Sequence, residues 1–178
     1  TISNVTTIGG NKLSNKNITI DKRYDLIDQI WEDRPPVPKE PVFIHDIVYT
    51  GKTAAEKLDI VRREMDKKGV NYHLICSLDD IAWLYNIRGN DVAYNPVVIS
   101  YALISKAQAW LFIDESKISD DVRKSLNENG VTVEEYEKIF EYLSQLKEED
   151  TILFDPARTN SWLYDAIGKG CKKVRNKM

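Results

Sequence analysis

Four polar residues crowd into one stretch between two apolar segments: Arg88, Asn90, Asp91 and Asn95. A planar arginine fork gives directional specificity toward a neighbouring surface or ligand, and amide groups add to it. The stretch follows the apolar run that contains Trp83 and Leu84. It turns at Gly89, where the backbone is free to take a positive φ, and passes Asn95-Pro96 into Val97 and Val98. Proline biases Asn95 toward extended geometry. Two readings are open. Arg88 and Asp91 pair with each other and tie the loop to its own domain, or the loop is presented to a neighbouring surface or ligand.

Elsewhere the reactive residue types are scattered. His45 and His73 lie far apart with no carboxylate at ligand spacing, so both read as structural histidines rather than metal ligands. Cys76 and Cys171 form no C-x-x-C pair. Cys76, inside an apolar run, reads as a small buried hydrophobe. There is no G-x-S-x-G elbow, no G-x-x-x-x-G-K-[ST] and no G-x-G-x-x-G. Asp79 and Asp80 open a helix, where acids offset the helix dipole. Trp31, Trp83, Trp110 and Trp162 fall on apolar faces and read as core. The expectation is therefore no catalytic residue, no metal ligand and no cofactor within this chain.

These residues need elements to position them. The chain has 178 residues, 42% of them hydrophobic and 30% charged, which suits a globular domain with a substantial core. With 25 basic and 28 acidic residues the net charge is −3, which gives no support to nucleic-acid binding. No apolar run reaches the length of a membrane span. Two cysteines and no signal peptide point to a cytoplasmic setting.

The first residues carry short β-prone pieces at 2–8 and 17–20, then a helical pattern at 21–33. Pro35, Pro36, Pro38 and Pro41 follow and mark an extended linker. Residues 1–40 thus read as the tail of a preceding domain plus a linker, and 41–178 as one domain. In that domain Thr53 and Glu56 make a capping box, with Ala54, Leu58, Val61 and Met65 on one helical face. Residues 70–77 are β-rich. Ser77 and Asp80 suggest a second capping box before a helix over 78–86. Strands are predicted at 97–105 and 108–114 as a hairpin, a helix at 120–128 capped by Ser119, a short strand at 131–133 and an amphipathic helix at 134–147. A strand at 151–154 leads to a helix opened by Asp155-Pro156, and a last strand begins at Lys172. Alternating strands and helices with one hairpin predict an α/β domain: a mixed sheet with helices on both faces.

The segment Asp79-Asp-Ile-Ala-Trp-Leu-Tyr-Asn-Ile-Arg-Gly-Asn-Asp-Val-Ala-Tyr-Asn-Pro-Val-Val-Ile-Ser-Tyr101 resembles the DEIAWLxNLRGxDVxxNPVxxSY signature of the three-domain Xaa-Pro aminopeptidases. Asp25-Leu-Ile-Asp-Gln-Ile-Trp-Glu-Asp-Arg-Pro35 is similar to that family's NLVDxIWxxRP segment. Tyr49-Thr-Gly51 and the helix after it resemble the YTG…K opening of its second domain. The resemblance implies a three-layer creatinase N-terminal-like fold. It also implies a parent metallopeptidase that removes the N-terminal residue preceding proline, with two divalent metals, usually manganese, in a C-terminal catalytic domain. Partners follow from the same resemblance: that catalytic domain, proline-containing peptides and a second copy of the parent in a homodimer. None of the family's metal-ligand segments maps onto residues 1–178, so this chain by itself is expected to be inactive. Arg88, Asn90, Asp91 and Asn95 are the candidates for contact with the cleft or an interface. The alternative is a free-standing α/β interaction or small-ligand module with no peptidase partner domain.

Overall fold

The computed structural model describes residues 30–175. The pieces expected at 2–8 and 17–20, and most of the helical pattern at 21–33, lie outside the described residues.

Six strands form one mixed sheet, in the order β6-β5-β4-β2-β7-β8. They are β2 (Tyr72–Ile75), β4 (Tyr101–Ser105), β5 (Ala109–Ile113), β6 (Val131–Glu135), β7 (Thr151–Phe154) and β8 (Lys172–Arg175). β2, β4 and β5 pair antiparallel in sequence, while β5–β6, β2–β7 and β7–β8 pair parallel. Two short strands, β1 (Phe43–Ile44) and β3 (Ile87–Arg88), make a separate antiparallel pair.

Side-chain alternation along each strand divides the core in two. Ala102, Ile104, Leu111, Ile113 and Leu153 face one side. They pack with α2 (Ala54–Lys67), α3 (Leu78–Tyr85) and α4 (Asp120–Glu128). Leu74, Leu103, Phe112, Ile152 and Phe154 face the other side. They pack with α5 (Lys138–Ser144) and α6 (Ser161–Ala166). The result is the three-layer α/β architecture expected. A four-residue helix, α1 (Ile47–Thr50), bridges β1 to α2. Full burial of each large aliphatic side chain contributes roughly 1.5–3 kcal/mol.

Local signals were mostly obeyed. Thr53 and Glu56 form their capping box, with Thr53 Oγ1 accepting from Glu56 N and Glu56 Oε2 accepting from Thr53 N. Ser119 Oγ accepts from Val122 N to cap α4.

Four departures have physical causes. Residues 97–100 do not extend the strand, because Val97 O accepts from Asp91 N and Ile99 N donates to the Asp91 carboxylate. The helix expected over 134–147 begins at Lys138, since Glu134 and Glu135 continue β6 beside β5. Asp155 does not start a helix. Its carboxylate accepts from Ala157 N in a local turn, and α6 begins at Ser161 under Asn160, whose side chain accepts from Leu163 N. Three tryptophans read as core are half exposed: Trp31, Trp83 and Trp162, all over 40%.

Candidate interaction site around the 88–95 loop

The site is built on the C-terminal end of α3. Asn86 closes that helix in the left-handed region (φ 54), a conformation asparagine tolerates better than most residues. Its side chain holds it there. Asn86 Nδ2 donates to Lys52 O (2.8 Å), and Asn86 Oδ1 accepts from Lys57 Nζ (2.5 Å). Lys57 also donates to Trp83 O (2.8 Å) and lies over the Trp83 ring at 4.7 Å. Arg88 Nη1 donates to Ala82 O (2.7 Å) and to Ile87 O (2.8 Å). Two cations thus meet carbonyls in the last turn of α3, Trp83 O and Ala82 O, where the helix dipole favours positive charge. Burial, and next the charge of Arg88, lowers the Lys57 ammonium below the usual lysine range.

From this anchor the chain runs out and returns as a narrow loop. Gly89 N donates to Pro96 O and Asp91 N to Val97 O, which zip the two legs together. A Cβ at Gly89 would meet Val98 Cγ1 at 2.2 Å, so close leg-to-leg approach requires glycine there. Asp91 is the buried clamp. Its Oδ2 accepts from Lys117 Nζ (2.6 Å) and from Ile99 N (2.7 Å), and both side chains of the ion pair are essentially inaccessible. Lys117 stands on a single 3-10 turn (Glu115–Lys117) whose carbonyl accepts from Val42 N. The clamp therefore joins the loop to the entry of β1. Asn95 N donates to Val92 O across the tip, and Asn95 Nδ2 donates to Asp79 Oδ1 (3.2 Å) in the first turn of α3.

The four candidate residues do not act alike. Arg88 and Asp91 do not pair with each other; each is tied into the domain through other partners. The buried Asp91 carboxylate cannot touch a neighbouring surface, which corrects its place among the contact candidates. Arg88 is half-buried, with its Nη1 on the carbonyls of Ala82 and Ile87. Asn90 is exposed and Asn95 half-buried. Sequence reasoning missed Lys57, Lys117 and the exposed tip Val92, Ala93 and Tyr94. A signal existed for Lys57, which falls at helical spacing inside the apolar stripe between Ala54 and Val61. Lys117 carries none.

Beside this loop, the carboxyl ends of β2 and β7 open a cleft of about 360 Å³. α3 follows β2 on one face of the sheet and α6 follows β7 on the other, so the cleft lies where the crossover direction switches. His73, Cys76, Ser77, Asp80, Trp83, Asp155 and Arg158 line it. Burial pulls the His73 imidazole down to about 4, against the opposing pull of Asp80. Burial pushes the Cys76 thiol up to about 12, and its Sγ donates to Thr159 Oγ1. At neutral pH the thiol stays protonated and the imidazole is a weak base, which is the wrong poise for a cysteine nucleophile. Arg158 Nη1 donates to Ser77 Oγ (3.3 Å), and its Nε lies 3.6 Å from Asp155. The Ser77 side chain does not cap α3, so the second capping box read from Ser77 and Asp80 does not form.

The donor set does not fit a metal centre: among the described residues no three His, Cys, Asp or Glu side chains come together to hold an ion. Among those residues no helix is long and apolar enough to cross a membrane.

Residues 33–178 match the profile of the creatinase/prolidase N-terminal domain. A probable Xaa-Pro aminopeptidase P of Sordaria macrospora is 49% identical over 117 residues, covering 65% of this chain and 19% of the relative. One from Sclerotinia sclerotiorum is 43% identical over 156 residues, covering 83% and 26%. The crystal structure of X-prolyl aminopeptidase from Caenorhabditis elegans, described as a cytosolic enzyme with a di-nuclear active site, superposes with a TM-score of 0.88 at 27% identity. The match covers 97% of this chain and 30% of that one. The chain thus spans only about a fifth to a quarter of the length of these curated relatives.

Proposed function

Because the chain belongs to the creatinase/prolidase N-terminal domain family, we propose that it is a noncatalytic N-terminal module of a metal-dependent Xaa-Pro aminopeptidase. The parent removes the N-terminal residue preceding proline, in the cytoplasm, with two divalent ions, manganese in this reading, held in a catalytic domain outside residues 1–178. Residues 1–40 are the tail of a preceding domain with its linker, and residues 41–178 are the module.

Its task is to wall the substrate cleft and to shape the contacts of a parental homodimer. The observation that carries this reading is the clamped 88–95 loop. Arg88 and Asp91 serve inside the domain, so that Asn90, Asn95 and the apolar tip are presented outward on a rigid support. A preorganised surface loses little entropy on contact. The fungal relatives support the parent assignment through their stated activity, and the nematode structure adds a match over 97% of this chain.

The test is direct. The full-length protein from the same gene, loaded with manganese, is expected to release the first residue of an Xaa-Pro peptide, and residues 1–178 alone are expected to release none. A gene encoding no metallopeptidase segment after residue 178 would sink the assignment. So would peptide cleavage by the isolated chain.

A further inference from the structure

We infer that Tyr94 is the anchor by which this module seats on the catalytic portion of its own polypeptide. The inference rests on the reading above and goes beyond it by naming the contact.

Tyr94 combines two unfavourable states that no described residue offsets. Its side chain is fully exposed (109% of its reference area), and its backbone is left-handed at φ 63. Among the described residues only Asn86 and Tyr94 are non-glycine residues with a positive φ. Asn86 is fixed by two side-chain hydrogen bonds at a helix end. Tyr94 makes no hydrogen bond and no ring contact with any described residue. A bulky residue in that region is strained, and such strain persists where the surroundings over-determine it. The buried Asp91–Lys117 pair, the Gly89 and Asp91 backbone bonds and the Asn95–Asp79 bond provide that constraint.

The tip is also not alone. Val92 and Ala93 are exposed beside Tyr94. The Asn95–Asp79 bond holds the loop against the first turn of α3, and half-exposed Trp83 stands one turn further along the same helical face. Tyrosine and tryptophan on a stiff support are the residues that dominate interface energetics, because they cover much area with few rotatable bonds. Exposed Asp79 and Asp80 border the patch with negative charge. The matching surface is therefore an apolar pocket with a basic rim. The occupant is the remainder of the same polypeptide, since most of each relative lies outside the segment matched here.

Two variants separate this from a local structural role. Tyr94→Asn suits the left-handed backbone and removes the aromatic ring, while Tyr94→Phe keeps the ring. In residues 1–178 alone, Tyr94→Asn is expected to leave the melting temperature unchanged or raised. In the full-length protein it is expected to split one cooperative melting transition into two and to lower kcat/KM on an Xaa-Pro peptide by at least about tenfold. Tyr94→Phe restores wild-type behaviour. The inference is overturned if full-length Tyr94→Asn melts and cleaves like wild type, or if the isolated chain loses stability on the same change. It is also overturned if wild-type residues 1–178 form a dimer in sedimentation that Tyr94→Asn abolishes, since the occupant is then a second copy. Wild-type full-length protein that cleaves no Xaa-Pro peptide defeats the parent assignment, while the melting experiment still reads the docking contact.

Discussion

In the 88–95 loop the charged groups point inward and the apolar residues point out, whereas the cleft at the ends of β2 and β7 leaves its charges near solvent around a half-buried thiol. The loop has few reactive residue types, yet its ion pair is sealed from water and governs how a surface is displayed. The cleft collects a histidine, a cysteine, a serine, two aspartates and an arginine, but burial drives its titratable pair away from neutrality in the unreactive directions. Residue type alone would have ranked these regions the other way. What decides the role of each group is how much water it keeps and whether its partner shares the same environment.

The strongest test of that contrast is the clamp. Lys117→Met leaves the Asp91 carboxylate buried without its cation, and its second oxygen, Asp91 Oδ1, already lacks a partner among the described residues. An uncompensated buried charge costs about 3–5 kcal/mol. Urea unfolding of residues 1–178 is expected to show a loss of that size. Adding Asp91→Asn removes the stranded charge, keeps an acceptor for Ile99 N, and is expected to recover part of the loss. The solvent-exposed pair Lys67–Glu64 is equally short at 2.6 Å, yet Lys67→Met is expected to change stability by less than about 1 kcal/mol. Equal effects from the two lysines would remove the distinction between clamp and surface.

The cleft is expected to report itself through pH instead. His73 has its folded value lowered from 6.5 to about 4, with burial as the main cause, Asp80 opposing it and Lys68 adding to it. Between those values the unfolded chain binds the proton and the folded chain does not. Stability therefore falls as pH drops from about 6.5 toward 4 and levels off below, by no more than about 3 kcal/mol. His73→Gln is expected to flatten that limb of the stability profile while leaving the Lys117 effect untouched. A wild-type stability independent of pH across this window would show that His73 is solvated, and the contrast with the loop would lose one side.

Much of this arrangement was legible from local chemistry. The Thr53–Glu56 box, the Ser119 cap and the strands at 151–154 and from Lys172 depend on neighbours in sequence, and they formed as read. The position of the loop was legible too, because Gly89 and Asn95-Pro96 punctuate an apolar pattern. The direction of its side chains was not. Arg88 and Asp91 looked like natural partners at short separation, but Asp91 found Lys117 across the fold, and a lysine beyond a hairpin has no local mark of burial. Trp83 lies in an apolar run and read as core, but it stands half exposed at the mouth of the cleft, with the Lys57 ammonium over its ring. Long-range partners and uncovered ends are properties of the assembled layers, and single-sequence periodicity contains neither.

The smallest effect separates two serine/threonine residues that look identical in sequence. Thr53 and Ser77 each precede a helix, and each is followed three residues later by an acid. Thr53 satisfies a free amide of α2, so Thr53→Ala is expected to cost about 1 kcal/mol. Ser77 Oγ accepts from Arg158 across the cleft, and the start of α3 has Asp79 and Asp80 to offset its dipole. Because Arg158 is half exposed, water can replace the lost acceptor, and Ser77→Ala is expected to cost a few tenths of a kcal/mol. Thermal denaturation of the two variants side by side measures the difference. If Ser77→Ala is as damaging as Thr53→Ala, the serine caps α3 in solution. The bridge from Arg158 to Ser77 would then not define the floor of the cleft.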